Sequence, residues 1–396
     1  MTGHSEGPLQ GNTTTDPEDP NCRSNYTIIL MFIDQTNPGY FHHRLNDIIL
    51  LFSMATLGIV LNLCMGRALA EKSAYRQSAN AMLIFNLAIA DSLVALFCLM
   101  SDGIWNVTMQ WVAGDVVCKI VKFMQMFSLY ATTLILTGMT VERCITVTFP
   151  ISKSSRSESL RRARLIVGFA WLFAFVCSIP QAVIFHVERA PICPDFFQCV
   201  THNFYTSAAQ ELAYTMTTLV LMFILPFVII CFCYITIFAS FSKEAQQALG
   251  QVRESSLRSV DQCSSPPTVH TERIKPGKRL YQKARRISLW MTFTIALTFV
   301  ICWTPYYVAM LAFLLQWEIP PETISSIFCF GMSNSVLNPI IVGAFRLTTG
   351  NGFKKQTKVI ASTASRGGTP VDPRETAPKN SRLRMKYEGP NESFDL

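Results

Sequence analysis

One apolar stretch, 118–143, carries chemically capable residues at both of its ends. Cys118 can form a disulfide at one end, and Glu142 beside Arg143 can form an ion pair at the other. As a helix with a rise of about 1.5 Å per residue, the stretch would be roughly 37 Å long, enough to cross a hydrocarbon core of about 30 Å. The sequence therefore predicts a membrane-spanning helix with an oxidisable anchor on one side and a charged switch on the other.

Polar side chains inside other apolar stretches form a second group. Asn62 and Asp91 lie within such stretches, and Asn334 and Asn338 stand four residues apart, on one face of a helix. Polar groups at this depth are costly unless they are paired, so we expect them to face the interior of a helix bundle. We predict a small wet cavity that can hold a sodium ion, built from Asp91, Ser128, Thr132, Asn334, Ser335 and Asn338. The alternative is that these groups only hold helices together.

A third group is a bulky aromatic pair that precedes a proline. Phe299 and Trp303 come shortly before Pro305 in the stretch FVICWTP. A proline inside a membrane helix frees a carbonyl group and permits a kink. Large side chains at such a kink can have two packing arrangements, so the stretch predicts a conformational pivot.

These residues must be positioned by membrane-spanning helices. Half of the 396 residues are hydrophobic, only 15% are charged and the mean hydropathy is +0.29, which places the chain in the membrane class. Windows of about 19 residues give seven apolar segments, at 46–70, 79–101, 116–146, 165–187, 209–241, 285–315 and 322–345. The predicted fold class is an all-α membrane protein, a seven-transmembrane helix bundle.

The distribution of charge predicts the orientation of this bundle. Of the 34 Lys and Arg, only a few fall on the membrane side shared with the N-terminus: Arg23, Arg44, Lys119, Lys122 and Arg189. Because cytoplasmic segments carry an excess of positive charge, we expect a multi-pass protein of the plasma membrane with an extracellular N-terminus. The net charge of +8 then reflects topology and attraction to membrane lipids, and no nucleic-acid partner is expected.

Three regions follow from this topology. Residues 1–44 are polar and are expected to be disordered outside the cell, with glycosylation acceptors at Asn12 and Asn25. Residues 45–345 form the seven-span domain, and 346–396 form a cytoplasmic tail rich in Ser, Thr and Pro that offers targets for kinases.

A third internal loop is predicted at about 242–284. It is polar and ends in a basic run, Lys278, Arg279, Lys283, Arg285 and Arg286. Two interpretations of this basic run remain open. It is either a solvated flank that follows the positive-inside rule or a docking surface for an intracellular partner.

Four of the 13 cysteines reach the external side, and the others are expected to be reduced. The four are Cys22, Cys118, Cys193 and Cys199, which allow three disulfide connectivities. We favour Cys118 with Cys199, which ties the second external loop to the third helix, and Cys22 with Cys193, which ties down the N-terminus.

Landmark residues across the whole helical region resemble those of the rhodopsin-like, or class A, receptors. They occur in that family's order as Asn62, Asp91, Glu142-Arg143, Trp171, Pro226 with Tyr234, FVICWTP and Asn338-Pro339. The resemblance implies a receptor that activates a heterotrimeric G protein and is regulated at its tail by receptor kinases and arrestin. It also implies an activation switch composed of Glu142, Arg143, Phe299, Trp303, Pro305, Asn338 and Pro339.

Within that class, three segments resemble the receptors for gonadotropin-releasing hormone. They are Asp102–Gly114 followed by Cys118-Lys119, Gln198–His202 and Cys302–Tyr307. The adipokinetic hormone and corazonin receptors share much of this pattern. The resemblance implies a short extracellular peptide hormone as ligand and a Gq-type G protein that raises intracellular calcium.

The same resemblance places a peptide pocket between the outer ends of the helices, lined by Asp102, Trp105, Asn106, Gln125, Tyr306 and Tyr307. A carboxylate and an amide can hold peptide donors, while tyrosines offer apolar area with a polar tip. Two residues depart from the family pattern. Gln125 stands where the vertebrate hormone receptors have a lysine, and Val342 replaces the tyrosine of the NPxxY motif.

Several other functions are less consistent with the sequence. Gln125 stands where amine receptors carry an aspartate, and the seventh span has no lysine for retinal. A vasopressin- or oxytocin-like receptor is the main alternative within the class. A transporter would require internal repeats, and an enzyme would require a nucleophile with its base or a motif such as HExxH. We therefore expect a non-enzymatic receptor with no cofactor beyond a structural sodium ion.

Overall fold

A computed structural model describes residues 38–71, 74–148, 156–189, 197–261, 276–315, 317 and 321–347. Its helices run over Pro38–Glu71, Ala74–Gln77, Ala79–Val94, Ser101–Thr108, Gly114–Thr148, Arg156–Ile184, Ala208–Leu219, Leu225–Asp261, Pro276–Leu314, Pro321–Met332 and 334–347. Two π-helical turns, Ala95–Met100 and Val220–Ile224, join neighbouring helices into continuous rods.

Seven of these rods are long and apolar enough to cross a membrane, which confirms the predicted seven-span helix bundle. In chain order the spans are Leu45–Glu71, Ala79–Thr108, Gly114–Thr148, Ser157–Ile184, Ala208–Gln247, Arg286–Ala312 and Thr323–Leu347. They coincide closely with the apolar segments expected from hydropathy. We refer to them as the first to seventh spans.

The helices are longer than the apolar segments predicted from the sequence. The first helix begins at Pro38, inside the region 1–44 that was expected to be disordered. The segment 242–284, expected to be a loop, is helical at both ends, because one helix continues to Asp261 and the next begins at Pro276. The stretch 242–261 is rich in Ala, Gln, Glu and Leu and lacks proline, so helix propensity favours a continuous helix there even though the stretch is polar.

The third span lies at the centre and packs against the second, fourth, fifth and sixth spans. Small residues allow the close approach: a side chain at Gly138 would meet Ile166 of the fourth span. The Trp171 indole donates a hydrogen bond to Asn86 Oδ1 at 3.0 Å and links the fourth span to the second. Large side chains such as Leu172 and Phe232 instead stay exposed on the outside, where lipid surrounds them.

A short hairpin covers one end of the bundle. Its strands, β1 (His186–Arg189) and β2 (Phe197–Val200), are antiparallel, with Val187 opposite Cys199. Cys199 forms a disulfide with Cys118 at the start of the third span, and their Cα atoms are 5.8 Å apart. This confirms the favoured pairing of these two cysteines, and we call this end of the bundle the disulfide end. The opposite end is called the Glu142 end.

Several sequence-based predictions fall outside the described residues. They concern the glycosylation acceptors Asn12 and Asn25, the second disulfide between Cys22 and Cys193, and the tail beyond residue 347. These stay predictions.

Candidate functional site

The hairpin is fastened to the loop between the second and third spans by a set of hydrogen bonds. Trp105 Nε1 donates to Gln198 Oε1 at 2.9 Å, and Gln198 Nε2 donates to the Met109 carbonyl at 2.7 Å. The Trp111 amide donates to the Phe197 carbonyl at 2.8 Å. Together with the disulfide, these bonds hold the hairpin at the disulfide end of the bundle.

A π-helical turn sets the direction of the outer part of the second span. It occupies Ala95–Met100, directly before Ser101 and Asp102. Such a turn rotates the residues that follow it relative to an uninterrupted α-helix, and these turns are frequent at functional sites. Gln125 of the third span then bridges this segment, since its Nε2 lies 3.0 Å from Ser101 Oγ and 3.1 Å from Asp102 Oδ1. The predicted pocket residues Asp102 and Gln125 are therefore in direct contact.

Lys122 is a pocket residue that the sequence analysis missed, because it was counted only as an external charge. Its ammonium group lies 4.5 Å from the ring centroid of Trp105 and 5.1 Å from that of Phe185. These are cation–π distances. Within the described part of the chain, no acceptor lies within hydrogen-bond distance of this ammonium group. Helical spacing could have revealed it, since Lys122 precedes Gln125 by three residues on one face.

Two adjoining cavities open behind the hairpin, with volumes of about 660 Å³ and 220 Å³. They share the wall residues Lys122, Gln125, Phe185, Tyr306 and Phe328. The larger cavity also contains Asp102, Trp105 and Asn106, and the smaller one reaches Tyr307 and Trp303. The structure thus brings all six predicted pocket residues to the walls of these two adjoining cavities. Together they are large enough for several side chains of a ligand.

The floor of the smaller cavity is an aromatic cluster around the predicted pivot. The Trp303 ring lies 6.0 Å from that of Tyr307, which stacks on Phe223 at 4.5 Å. Trp303 also presses against the backbone of the seventh span, because a Cβ added at Gly331 would lie 2.9 Å from Trp303 Cε3. Phe299, one turn below, is 1% exposed. Any ligand group that reaches the cavity floor therefore touches side chains whose packing leaves no spare room.

The buried carboxylate of Asp91 is the centre of a polar cluster in the middle of the bundle. Its Oδ2 accepts a hydrogen bond from Asn338 Nδ2 at 2.9 Å, and its Oδ1 accepts one from Thr132 Oγ1 at 3.1 Å. Ser335 lies beside this cluster, and its carbonyl accepts a bond from Asn62 Nδ2 at 3.0 Å. The predicted contact between the second, third and seventh spans is therefore present.

Three residues of the predicted sodium site have polar atoms that make no contact with Asp91. The Ser128 hydroxyl donates to the Gln125 carbonyl of its own helix at 2.9 Å. Both polar side-chain atoms of Asn334, and Oδ1 of Asn338, are buried without a hydrogen-bond partner in the described residues. Buried polar atoms without partners indicate room for a water molecule or an ion. The oxygen-rich set around Asp91 therefore fits a sodium ion.

At the Glu142 end, the carboxylate of Glu142 is almost fully buried and held by the fourth span. Arg162 Nε lies 2.9 Å from Oε2 and Nη2 lies 3.2 Å from Oε1, while Ser159 Oγ donates to Oε1 at 2.6 Å. Thr146 Oγ1 adds a contact at 3.2 Å. The sequence suggests only the neighbouring Arg143 as a partner, because no sequence pattern reveals a partner 20 residues away.

A second contact at this end ties the sixth span inward. Asn80 Nδ2 of the second span lies 3.4 Å from Ser288 Oγ, and both residues are buried. Pro305 lies inside the same helix, Pro276–Leu314. The sixth span thus contacts the second span at the Glu142 end, while Pro305, which permits a kink, lies next to the cavity floor.

Comparisons with known proteins all point to seven-transmembrane receptors. Residues 62–341 match the family described as 7 transmembrane receptor (rhodopsin family). The chain is 34% identical over 270 residues to a gonadotropin-releasing hormone receptor of Octopus vulgaris, covering 67% of this chain and 62% of that receptor. It is 29% identical over 315 residues to a gonadotropin-releasing hormone II receptor of Clarias gariepinus, covering 78% and 76% of the two chains. A receptor of the same name from Chlorocebus aethiops is 31% identical over 290 residues, with 72% and 71% covered.

Proposed function

Since the chain belongs to the rhodopsin family of seven-transmembrane receptors, we propose that it is a receptor for a short neuropeptide of the gonadotropin-releasing hormone type. Members of this family are multi-pass proteins of the plasma membrane and are not enzymes, and the same holds for this chain. The observation that supports a peptide ligand is the pair of adjoining cavities at the disulfide end, which are lined by groups of both charges.

The cavity offers complementary partners for a peptide. Asp102 can accept hydrogen bonds from ligand N–H groups, and Lys122 presents an ammonium group that has no acceptor in the described residues. A ligand carbonyl or carboxylate oxygen would complete that site, and a charge-assisted hydrogen bond of this kind is stronger than a neutral one. Trp105, Asn106 and Tyr306 would add aromatic area and amide contacts. Gln125 already binds Asp102, so we infer that it orients the carboxylate for the ligand.

The proposed orientation puts the disulfide end outside the cell and the Glu142 end in the cytoplasm. The excess of Lys and Arg in the segments at the Glu142 end supports this orientation. A disulfide is also stable only in the oxidising environment outside the cytoplasm.

Activation would proceed by a shift in population between two arrangements of the sixth span. A peptide that reaches Trp303 through the smaller cavity would favour a rearranged packing around Pro305, and the sixth span would then lose its contact between Ser288 and Asn80. This movement would open the Glu142 end, where Arg143 lies, to a heterotrimeric G protein. A ligand achieves this only by binding the open arrangement more tightly, by a few kcal/mol.

The Asp91 cluster would stabilise the resting arrangement. Asp91, Thr132 and Asn338 would supply oxygen ligands to a sodium ion, with Asn334 and Ser335 beside them. A bound sodium ion supplies positive charge that neutralises a carboxylate buried among helices. The side chains themselves tie the second, third and seventh spans together and keep water away from the apolar part of the bundle.

The downstream partners are part of the same proposal. Similarity to the hormone receptors supports Gq and calcium, and the Ser/Thr-rich tail supports regulation by receptor kinases and arrestin. Adipokinetic, corazonin and vasopressin-like peptides are the alternative ligands, since Gln125 departs from the vertebrate hormone receptors.

Binding of labelled peptides to intact cells that express the receptor tests the pocket. We expect saturable binding that Asp102→Asn weakens by about tenfold or more, since a hydrogen bond to a charged group contributes about 1.5–3 kcal/mol. The matched control is Glu71→Gln, because Glu71 is exposed, pairs with Arg67 and lines neither cavity. Equal affinity in both variants, at equal surface expression, would exclude Asp102 from the binding site.

A further inference from the structure

A cleft of about 530 Å³ separates the fifth and sixth spans at the Glu142 end. Its walls are mostly aromatic and include Tyr234, Phe238 and Phe241 on one side and Trp290 and Phe293 on the other. Phe238 is 48% exposed and Trp290 46% exposed, although both lie within membrane spans. Exposed apolar side chains at this depth contact lipid, so the cleft is open to the bilayer and an apolar chain can enter it.

The mouth of the cleft carries charge at the membrane boundary. Arg286 lines it and is the first residue of the sixth span. It is exposed, and within the described residues no carboxylate lies at ion-pair distance from it. Glu244 lines the opposite side. In the sequence, four further basic residues precede Arg286: Lys278, Arg279, Lys283 and Arg285.

We propose that this cleft binds one acyl chain of an anionic phospholipid, whose phosphate group pairs with Arg286. The occupant must be apolar along the aromatic walls and anionic at the mouth, and it must be available at the depth of the membrane. A phospholipid of the negatively charged cytoplasmic leaflet meets all three conditions. The identity of that leaflet rests on the orientation proposed above, whereas the chemistry of the cleft does not.

Occupancy of the cleft is coupled to the position of the sixth span. The cleft lies between the helix that moves in the proposed activation and the neighbouring fifth span, so its width differs between the two arrangements. A lipid that binds more tightly to the cleft in one arrangement of the sixth span stabilises that arrangement. By linkage, a peptide agonist then changes the affinity of the cleft for the lipid. The anionic lipid is therefore a second ligand of the receptor, at the opposite end from the peptide.

Quenching of Trp290 fluorescence by brominated lipids tests this proposal. The full-length receptor is placed in nanodiscs with brominated acyl chains on either an anionic or a zwitterionic phospholipid. The contribution of Trp290 is the difference in fluorescence quenching between the native protein and the Trp290→Phe variant. We expect the apparent affinity for the anionic lipid to be roughly fivefold higher than that for the zwitterionic lipid. This ratio corresponds to the contribution of about 1 kcal/mol that one basic residue makes near the membrane surface.

Variants at the cleft mouth identify the group responsible. Arg286→Gln should remove the preference for anionic lipid, while Arg286→Lys should keep it because the charge remains. Arg164→Gln is the matched control, since Arg164 is an exposed arginine near the same end of the fourth span and lies outside the cleft.

Equal quenching by the two lipids, or a preference that Arg286→Gln leaves intact, would overturn the proposal. Loss of Trp290 quenching on addition of a G protein, with no lipid preference beforehand, would assign the cleft to the G protein instead. The assay contains no peptide, so a receptor that responds to none of the expected hormones would still give a clear result for the cleft.

Discussion

Replacing Gly331 with alanine should shift the resting receptor toward its open arrangement. In the structure, the new methyl group would lie 2.9 Å from Trp303 Cε3 and 3.0 Å from Cζ3, which is closer than side-chain atoms normally approach. Neither partner can yield easily, because Gly331 is in a helix and the Trp303 ring is packed against Tyr306, Tyr307 and Phe328. The indole must move, and movement of the indole is the first step of the proposed switch.

The size of the effect follows from the cost of overpacking. An extra methyl group in a well-packed site destabilises that arrangement by about 1–3 kcal/mol, which changes an equilibrium by roughly 5- to 150-fold. If the open arrangement of the native receptor has a population of about 1%, the variant would raise it to between roughly 5% and 60%.

Basal inositol phosphate production in cells measures this shift, normalised to the amount of receptor at the surface. The matched control is Gly343→Ala in the same span, where an added Cβ would have no atom within 4 Å. We expect raised basal signalling and higher peptide potency for Gly331→Ala and native behaviour for Gly343→Ala. Unchanged basal signalling in both variants would refute the claim that Trp303 packing controls the equilibrium.

Three further variants test other parts of the account. Lys122→Met should lower peptide affinity in displacement binding by about 10- to 150-fold, since a hydrogen bond to a charged group contributes about 1.5–3 kcal/mol. Lys119→Met is the control, because an exposed ion pair contributes little. Equal peptide affinities of the two variants would argue against the ammonium site. Asp91→Asn should make agonist affinity insensitive to sodium chloride relative to choline chloride, whereas a retained sodium effect would place the ion elsewhere. Arg162→Gln should lower the stability of the purified receptor, because it breaks the ion pair with the buried Glu142 carboxylate. Breaking a buried ion pair costs about 3–5 kcal/mol. Arg162 is partly exposed, so we expect a loss of up to about 3 kcal/mol. Arg164→Gln should leave the melting temperature unchanged, and identical melting of the two variants would count against the ion pair.

The sequence alone was sufficient for features that depend on hydrophobicity or on local landmarks. The seven spans follow from hydropathy because a hydrocarbon core excludes unpaired backbone and most charge. Asp91 and Asn338 were expected to meet because each is costly to bury alone, and their side chains are hydrogen bonded at 2.9 Å. The contact between Cys118 and Cys199 was likewise anticipated.

Features that depend on long-range packing could not be obtained in this way. Only Arg143 was considered as a partner of Glu142, and the contacts that Arg162 and Ser159 make with its carboxylate from another helix could not be foreseen. Lys122 was assigned to the membrane surface, because only the fold shows that Trp105 and Phe185 enclose its ammonium group.

Some local structure was missed for a different reason. The strands of the hairpin are four residues long, too short for an alternating pattern to be recognised. The π-helical turns at Ala95–Met100 and Val220–Ile224 have no sequence signature that distinguishes them from α-helix. The second of these turns contributes Met222 to the wall of the smaller cavity, so the pocket could be predicted as a set of residues but its form could not.

Intracellular calcium in cells that express the receptor is the most direct test of the central claim. The cells would be challenged with gonadotropin-releasing, adipokinetic, corazonin and vasopressin-like peptides, with surface expression confirmed in parallel. The account predicts a concentration-dependent calcium rise for a peptide of the gonadotropin-releasing hormone type, and no rise when Arg143 is replaced by glutamine. Silence toward every peptide, or a calcium response that survives the Arg143 substitution, would contradict it.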